Sequence, residues 1–154
     1  MACPDCDNGW RDRDGDRRPC RPCAKRNRWV QEYAETLASW MGLTDWTLQV
    51  VNDSPEQETS MAEIDCIYGQ RLAKIALSDE WDTYSPTTQR DTLVHELVHA
   101  ILSPLTQMAD DMLDVTAGPN STAAKAALSN VEEWVTDAIA LAWAQHLPLP
   151  KGLK

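Results

Sequence analysis

The chain has 154 residues, of which 43% are hydrophobic, and it carries a formal net charge of −10. This length suits one compact domain with a small appendage, and the hydrophobic fraction is close to the ~45–50% of globular proteins. No apolar run approaches the ~18 residues that suggest a membrane span, and no secretion signal is recognisable, so we expect a cytoplasmic protein without membrane contact.

The charge is unevenly distributed along the chain. Residues 1–28 contain eight Arg or Lys against five Asp, which is +3, and this leaves −13 for residues 29–154. Because phosphate binding needs concentrated Lys and Arg, nucleic acid is a candidate partner only for the first segment. A solvated basic surface is the simpler interpretation of that segment.

Four cysteines in the first segment form two C-x-x-C pairs, Cys3 with Cys6 and Cys20 with Cys23. Paired units of this kind predict a structural zinc ribbon, in which four thiolates surround one zinc ion. Residues 1–28 have almost no apolar side chains, so metal binding is what would fold them. Redox dithiols or free thiols are the alternatives. The residues between the pairs, Asp7 to Pro19, are predicted to be a solvated finger.

The next residues predict a helix and a small sheet. Apolar positions recur at helical spacing from about Asn27 to Met41, and Gly42 is typical of a helix end. A strand is predicted at 46–51, and two extended runs at 61–68 and 72–77, separated by Gly69-Gln70, predict a hairpin. The unpaired Cys66 falls in this hairpin, where a small buried residue is the simplest interpretation.

Two helices complete the predicted elements. Ser85 as N-cap and Pro86 at the first helical position begin a helix that we expect to end at about Leu102, before Pro104. Residues 78–84 are expected to be a loop, and residues 103–120 mixed, with a short helical turn near 105–113. A last helix is predicted at 122–146.

The first of these two helices contains the motif His95-Glu96-Leu97-Val98-His99. Residues four apart share one side of a helix, so both histidines can bind one metal ion. The H-E-x-x-H pattern is typical of zinc sites in which the Glu acts as general base on a zinc-activated water. Such a site needs a third protein ligand from elsewhere in the chain.

The motif and the order of elements resemble the zincin metallopeptidases. The resemblance implies an α+β fold: a small, mostly antiparallel sheet packed on helices, with the motif on a central helix. The domain would span residues 29–154, after a four-cysteine zinc ribbon at 1–28. Metzincins are excluded, because the continuation after His99 lacks their Gly and third His. In gluzincins the third ligand is the Glu of a Glu-x-x-x-Asp pattern, which Glu133 and Asp137 match.

A helical wheel also favours Glu133 as the third ligand. Glu133 and Asp137 share one side of the last helix, opposite a group of apolar residues that we predict to face the core. Those apolar residues are Val131, Trp134, Val135, Ala138 and Ala142. By family analogy, Asp137 would accept a hydrogen bond from His95 and orient it. Glu132, Asp114, Asp137 and His146 stay open as alternative ligands.

The resemblance further implies a function. Over residues ~29–147 the chain is similar to minimal gluzincin-type proteins of bacteria and phages, including repressor-cleaving and SprT-like members. With the cysteine pairs, this similarity implies two zinc ions, one catalytic and one structural. The substrate would be a peptide or protein, paired with a sheet strand such as 72–77. Tyr84, Tyr68 and His146 are candidate oxyanion donors. The alternative is a non-catalytic adaptor or phage assembly protein that works through its ribbon. The oligomeric state is left open.

Overall fold

The computed structural model of this protein describes residues 10–13, 16–117 and 121–151. Within them the chain is α+β, with three helices, a three-stranded mixed sheet and a separate two-stranded hairpin. The elements in order are β1 (Trp10–Arg13), β2 (Asp16–Pro19), α1 (Arg21–Trp40), β3 (Thr47–Val50), β4 (Ala62–Ile67), β5 (Leu72–Leu77), α2 (Pro86–Ala117) and α3 (Ser121–Ala144).

The first helix begins earlier than predicted. It starts at Arg21 rather than about Asn27, with Cys20 as the N-cap residue and a proline in the first turn, where a missing backbone N–H costs nothing. Ahead of it, part of the predicted finger forms the antiparallel hairpin β1–β2. Cys20 and Cys23 are buried at the start of α1, whereas Cys3 and Cys6 lie outside the described residues.

The predicted end of α1 is confirmed at Gly42. This glycine has φ +81°, a conformation that L side chains rarely adopt. The backbone N–H of Leu43 reaches back to the carbonyl of Ala38 at 2.9 Å, so one terminal carbonyl of the helix gains a partner. The chain then turns directly into β3.

The sheet has the order β3-β5-β4, and it is mixed rather than mostly antiparallel. The predicted hairpin is confirmed as the antiparallel pair β4–β5, but β3 pairs with β5 in parallel. The sheet is not mostly antiparallel, as the resemblance implied, because the long connection between β3 and β4 lets the hairpin place its second strand, not its first, beside β3. Strand β5 is therefore the central strand, and β4 is an edge.

The turn of the hairpin is longer than the Gly69-Gln70 pair. A 3-10 turn spans Tyr68–Gln70, and the positive φ of 47° falls on Arg71 rather than on Gly69. The guanidinium of Arg71 pairs with Asp45, and its carbonyl accepts the Thr47 N–H at 2.8 Å. These contacts connect the hairpin to the start of β3 and hold the left-handed residue in place.

Helix α2 is much longer than predicted, continuing through Pro104 to Ala117. Its start is as expected, because the Ser85 hydroxyl accepts the Thr88 N–H at 3.1 Å. A proline inside a helix removes the N–H that the carbonyl four residues earlier would accept. Here that carbonyl belongs to Ala100, and the hydroxyl of Ser103 donates to it at 3.2 Å. A side-chain donor thus replaces the missing backbone donor, and the helix continues.

Helix α3 lies close to its predicted bounds, but its apolar side was assigned wrongly. Val131 and Trp134 are 56% and 73% exposed, and the residues buried on this helix are Thr136, Ala140 and Ala144. Periodicity identifies the two sides of a helix without showing which side meets a neighbour. Small residues face α2, which lets the two helices approach closely. Glu133 and Asp137 border this small-residue side.

The core lies between α1, the inner face of the sheet and the first half of α2. Leu37 on α1, Ile75 on β5 and Leu97 on α2 are fully buried within it. Trp81, in the segment expected to be a loop, is also fully buried, and its carbonyl accepts the Gln89 side-chain amide at 3.0 Å. The core side of α2 is thereby fixed, so the motif side chains on its other side project toward β4 and α3.

Among helices in the described ranges, none is both long enough and apolar enough to cross a lipid bilayer.

Candidate metal centre

His95 and His99 lie one turn apart on α2, and their rings converge. The two Nε2 atoms are 3.2 Å apart, and the ring planes are inclined at 71°. Both side chains are largely but not fully buried. Two imidazole nitrogens this close together could contribute two ligands to one metal ion.

Glu133 on α3 supplies the third side. One of its carboxylate oxygens lies 3.6 Å from His95 Nε2 and the other lies 3.5 Å from His99 Nε2. Ligand atoms bound ~2.0–2.2 Å from a tetrahedral zinc ion lie about 3.3–3.6 Å from one another. One ligand atom from each of the three side chains lies within 4.8 Å of the others, so together they could hold a metal ion.

The second nitrogen of each histidine faces its own carboxylate. Asp137 lies 3.0 Å from His95 Nδ1, and Glu132 lies 3.3 Å from His99 Nδ1. A carboxylate accepts from Nδ1–H, which leaves the Nε2 lone pair directed at the metal position. The Asp137 contact is the one that the family resemblance implies for His95. Glu132, considered above as an alternative ligand, instead orients His99, and this role was not anticipated from the sequence.

Two adjacent glutamates on one helix thereby take different roles. Successive residues on a helix point about 100° apart, so Glu132 reaches the outer nitrogen of His99 while Glu133 reaches the space between the rings. The signal was present in the Glu132-Glu133 pair, but a pair of adjacent acids on a helix is most often only a solvated surface.

Glu96 is a buried carboxylate beside the two histidines. It is 7% exposed and lines the same cavity as His95 and His99. Burial raises the pKa of Glu96 to about 8, while the backbone N–H of Ile64 on β4 lowers this pKa and the negative charges of Glu133 and Glu63 raise it. Glu96 is therefore able to hold and release a proton near neutral pH.

The motif opens into a cavity of about 620 Å³ between β4, α2 and α3. Its walls are mainly polar, with Gln57 and Ser60 from the loop before β4, and Ser103 and Gln107 from α2. Because Ile64 directs its backbone N–H toward Glu96, the open edge of β4 forms one wall. The central strand 72–77 is paired on both sides, so it cannot add a peptide as a further strand, and that prediction was wrong.

Other candidate residues lie away from this cavity. Asp114 pairs with Lys125 at 2.8 Å, and neither Tyr84 nor His146 lines the cavity that holds the histidines. The Tyr68 side chain lies outside what the structure describes. Polar residues that do line the cavity, including Gln57 and Ser103, carried no recognisable motif.

Cys66 also lines the cavity but is not an activated thiol. Burial raises the pKa of Cys66 to about 12, an effect that a hydrogen bond with Ser103 opposes and the charge of Asp65 adds to. A reactive thiolate needs the opposite shift of pKa. The interpretation of Cys66 as a small packing residue therefore suits its environment.

Comparison of this chain with family models, with curated proteins and with solved structures gives no match. The centre thus combines three side chains that could hold a metal ion, two carboxylates against the outer histidine nitrogens and one buried carboxylate beside them.

Proposed function

We propose that this protein is a zinc-dependent metallopeptidase with a zincin-like fold and a gluzincin-type ligand set. The convergence of His95, His99 and Glu133 carries the proposal: the two Nε2 atoms are 3.2 Å apart, each faces one Glu133 oxygen at 3.5–3.6 Å, and one ligand atom from each residue lies within 4.8 Å of the others. Two nitrogens and one carboxylate oxygen form a donor set that zinc commonly takes in catalytic sites. Zinc bound there would act as a Lewis acid toward water and a substrate carbonyl.

Glu96 is the proposed general base. It lies beside the metal ligands without being one of them, and its raised pKa suits a group that takes a proton from the attacking water and passes it to the leaving amine. A bound cation nearby would lower this pKa toward the working range of a base. A purely structural metal site has no use for a buried carboxylate of this kind, so Glu96 favours the enzyme over an adaptor or assembly protein.

The edge strand β4 is the proposed binding surface for the peptide. It borders the cavity along its length, and Glu96 is held against it through Ile64. An extended peptide pairing with this edge would pass over the two histidines. The substrate carbonyl and the ligands would then lie together, as peptide hydrolysis requires.

We also propose that Cys20 and Cys23 bind a second, structural zinc ion together with Cys3 and Cys6. Cys20 and Cys23 are buried at the beginning of α1, where thiolates gain from the positive end of the helix dipole. Such a metal would connect the N-terminal segment to the domain. Two zinc ions per chain are therefore expected, and only one of them should depend on Glu133.

The test of the catalytic proposal is peptide hydrolysis by zinc-loaded wild type and Glu96→Gln. The variant should bind the same amount of zinc, because Glu96 is not a ligand, and it should lose roughly 10²–10⁴-fold in kcat. Equal zinc content separates this loss from loss of metal. Hydrolysis that survives Glu96→Gln, or that persists after complete removal of zinc, would refute the proposal.

A further inference from the structure

The candidate centre belongs to a longer cleft. Two further cavities, of about 390 and 500 Å³, adjoin the central one, and Ser60 lines all three. One of them contains His95 and Glu96, and the other reaches Tyr84 beyond the end of β5. The cleft therefore has room for several residues of an extended chain on one side of the centre.

The walls of these three cavities are acidic; the cation nearby is Arg90, which lines a fourth cavity, of about 290 Å³, that shares His95 and Asp91 with them. Neither Lys nor Arg lines any of the three cavities. Glu63 lies on β4 in the wall of the central cavity, and Glu58, Asp79 and Glu80 line the far end. Asp91, in the wall of the cavity that contains His95 and Glu96, is paired with Arg90 at 2.8 Å. The other four have no ion-pair partner in the described part of the chain.

A bound metal would not neutralise this cleft. Three carboxylates face the two histidines, those of Glu132, Glu133 and Asp137. A divalent ion carries two positive charges, so it leaves one of these three negative charges uncompensated. Glu132 contributes to this excess. It orients His99 through a charged carboxylate, although a neutral acceptor would serve equally in that position. A concave, low-dielectric surface of one sign focuses its field and attracts ligands of the opposite sign.

We propose that the cleft selects peptide segments with Lys or Arg side chains next to the bond to be cleaved. This inference rests on the proposed peptidase function and names its substrate class. Glu63 is the main specificity residue, because it is half-buried in the central wall, and the acids at the far end extend the same preference along the peptide. An acidic peptide would meet like charges along the whole cleft, which disfavours it.

The test is binding of three labelled peptides of equal length that differ only in central Lys, Gln or Glu residues. The full zinc-loaded chain carries Glu96→Gln, so that peptides bind without turnover. At low ionic strength, where the Debye length is about 30 Å, the Lys peptide should bind about tenfold more tightly than the Gln peptide, and the Glu peptide most weakly. The Lys preference should shrink at physiological ionic strength.

Two added substitutions locate the preference. The Glu63 carboxylate accepts a hydrogen bond from the Glu56 backbone N–H at 2.7 Å. Glu63→Gln removes the charge but keeps an oxygen that can accept this bond. It should lower the Lys preference about two- to threefold. Glu32→Gln on the exposed side of α1 removes the same charge outside the cleft and should leave the preference unchanged.

Equal binding of the Lys and Gln peptides, no binding of any peptide, or an equal effect of Glu32→Gln would each overturn the inference. Cleavage of the same peptides by the wild-type chain keeps the two proposals apart. A Lys preference in binding without cleavage would retain the cleft specificity and remove the peptidase. Cleavage of all three peptides without a Lys preference would retain the peptidase and remove the cleft specificity.

Discussion

Each histidine of the centre is fixed by its own carboxylate, and this arrangement depends on single residues of α3. Asp137 and Glu132 hold the outer nitrogens of His95 and His99, while Glu133 alone approaches both inner nitrogens. The roles differ in their consequences: loss of a ligand removes the site, whereas loss of an orienting residue leaves the ligands in place but free to rotate.

Substitution on α3 should therefore have graded effects on zinc binding. Asp137→Ala and Glu132→Ala should each weaken zinc at the histidine site by ~10–100-fold, because the histidines lose their orienting partner. Glu133→Ala should remove that zinc ion at ordinary concentrations. Competition with a calibrated chelator measures these affinities, and Glu32→Ala is the control. If Glu132→Ala abolishes binding and Glu133→Ala does not, the ligand has been assigned to the wrong glutamate.

The buried carboxyl of Glu96 should make the stability of the metal-free protein depend on pH. Its pKa rises from 4.5 to about 8 on folding, so between these values the folded protein holds a proton that the unfolded chain has released. Its stabilising effect is complete below the lower value and is lost as the pH rises to the upper one. Urea unfolding should show wild type losing about 3–5 kcal/mol relative to Glu96→Gln over this interval. Parallel pH profiles for the two proteins would contradict the burial argument.

At the scale of elements, a helix interrupted by proline carries both the motif and the far wall of the cavity. Pro104 lies five residues after His99, and the hydroxyl of Ser103 donates to the Ala100 carbonyl that this proline leaves without a backbone donor. Ser103 and Gln107 line the cavity on either side of it. Continuity of α2 through Pro104 therefore shapes the cleft.

Replacement of Ser103 tests this interpretation of the helix. Ser103→Ala should lower the free energy of unfolding by about 1 kcal/mol, because a partly buried carbonyl loses its donor. Ser103→Thr keeps a hydroxyl and should retain most of the stability. Chemical denaturation of the zinc-loaded proteins measures both. Equal stability of Ser103→Ala and wild type would show that the hydroxyl does not support the helix.

The sequence was sufficient for features set by local chemistry. Gly42 ends α1 and Ser85 begins α2 as predicted, because turn and cap chemistry depend on adjacent residues. The prediction that the helix ends before Pro104 failed because the hydroxyl of Ser103, the residue before the proline, was not considered as a donor to the Ala100 carbonyl. The exposed apolar side of α3 was misplaced because only tertiary contacts determine which side of a helix is covered.

The metal centre shows the same division between local and tertiary information. His95, His99 and Glu96 follow from a five-residue motif, and Glu133 with Asp137 follows from a second short pattern. The role of Glu132 depends on how α3 lies against α2, and the choice of β4 as the open edge depends on strand order. Neither the packing of α3 on α2 nor the order of the strands can be deduced from residue spacing in the sequence.

At the scale of the whole molecule, the end of the described chain is held against the first helix. The Tyr33 hydroxyl donates to the Pro148 carbonyl at 2.7 Å, and the Trp29 indole N–H donates to the Lys151 carbonyl at 2.9 Å. Burial raises the pKa of the Tyr33 phenol far above its ordinary value, so this group stays protonated and remains a donor. These contacts join residues 115 and 122 positions apart.

Removal of the Tyr33 hydroxyl should weaken this long-range connection. Tyr33→Phe keeps the ring and its packing, so the expected loss is that of one hydrogen bond, about 0.5–1.5 kcal/mol of unfolding free energy. Zinc affinity should not change, because the contact is remote from the centre. Thermal unfolding and chelator competition measure the two quantities. A fall in zinc affinity in Tyr33→Phe would show that the tail and the centre are coupled.

The central claim is that His95, His99 and Glu133 hold one zinc ion, and anomalous X-ray diffraction at energies above and below the zinc absorption edge tests it most directly. Crystals of the zinc-loaded chain should show a zinc peak about 2.0–2.2 Å from Nε2 of each histidine and from a carboxylate oxygen of Glu133, with Asp137 and Glu132 on the outer nitrogens. A zinc peak bound by Glu132 or through Nδ1, or no peak between the two histidines, would contradict it.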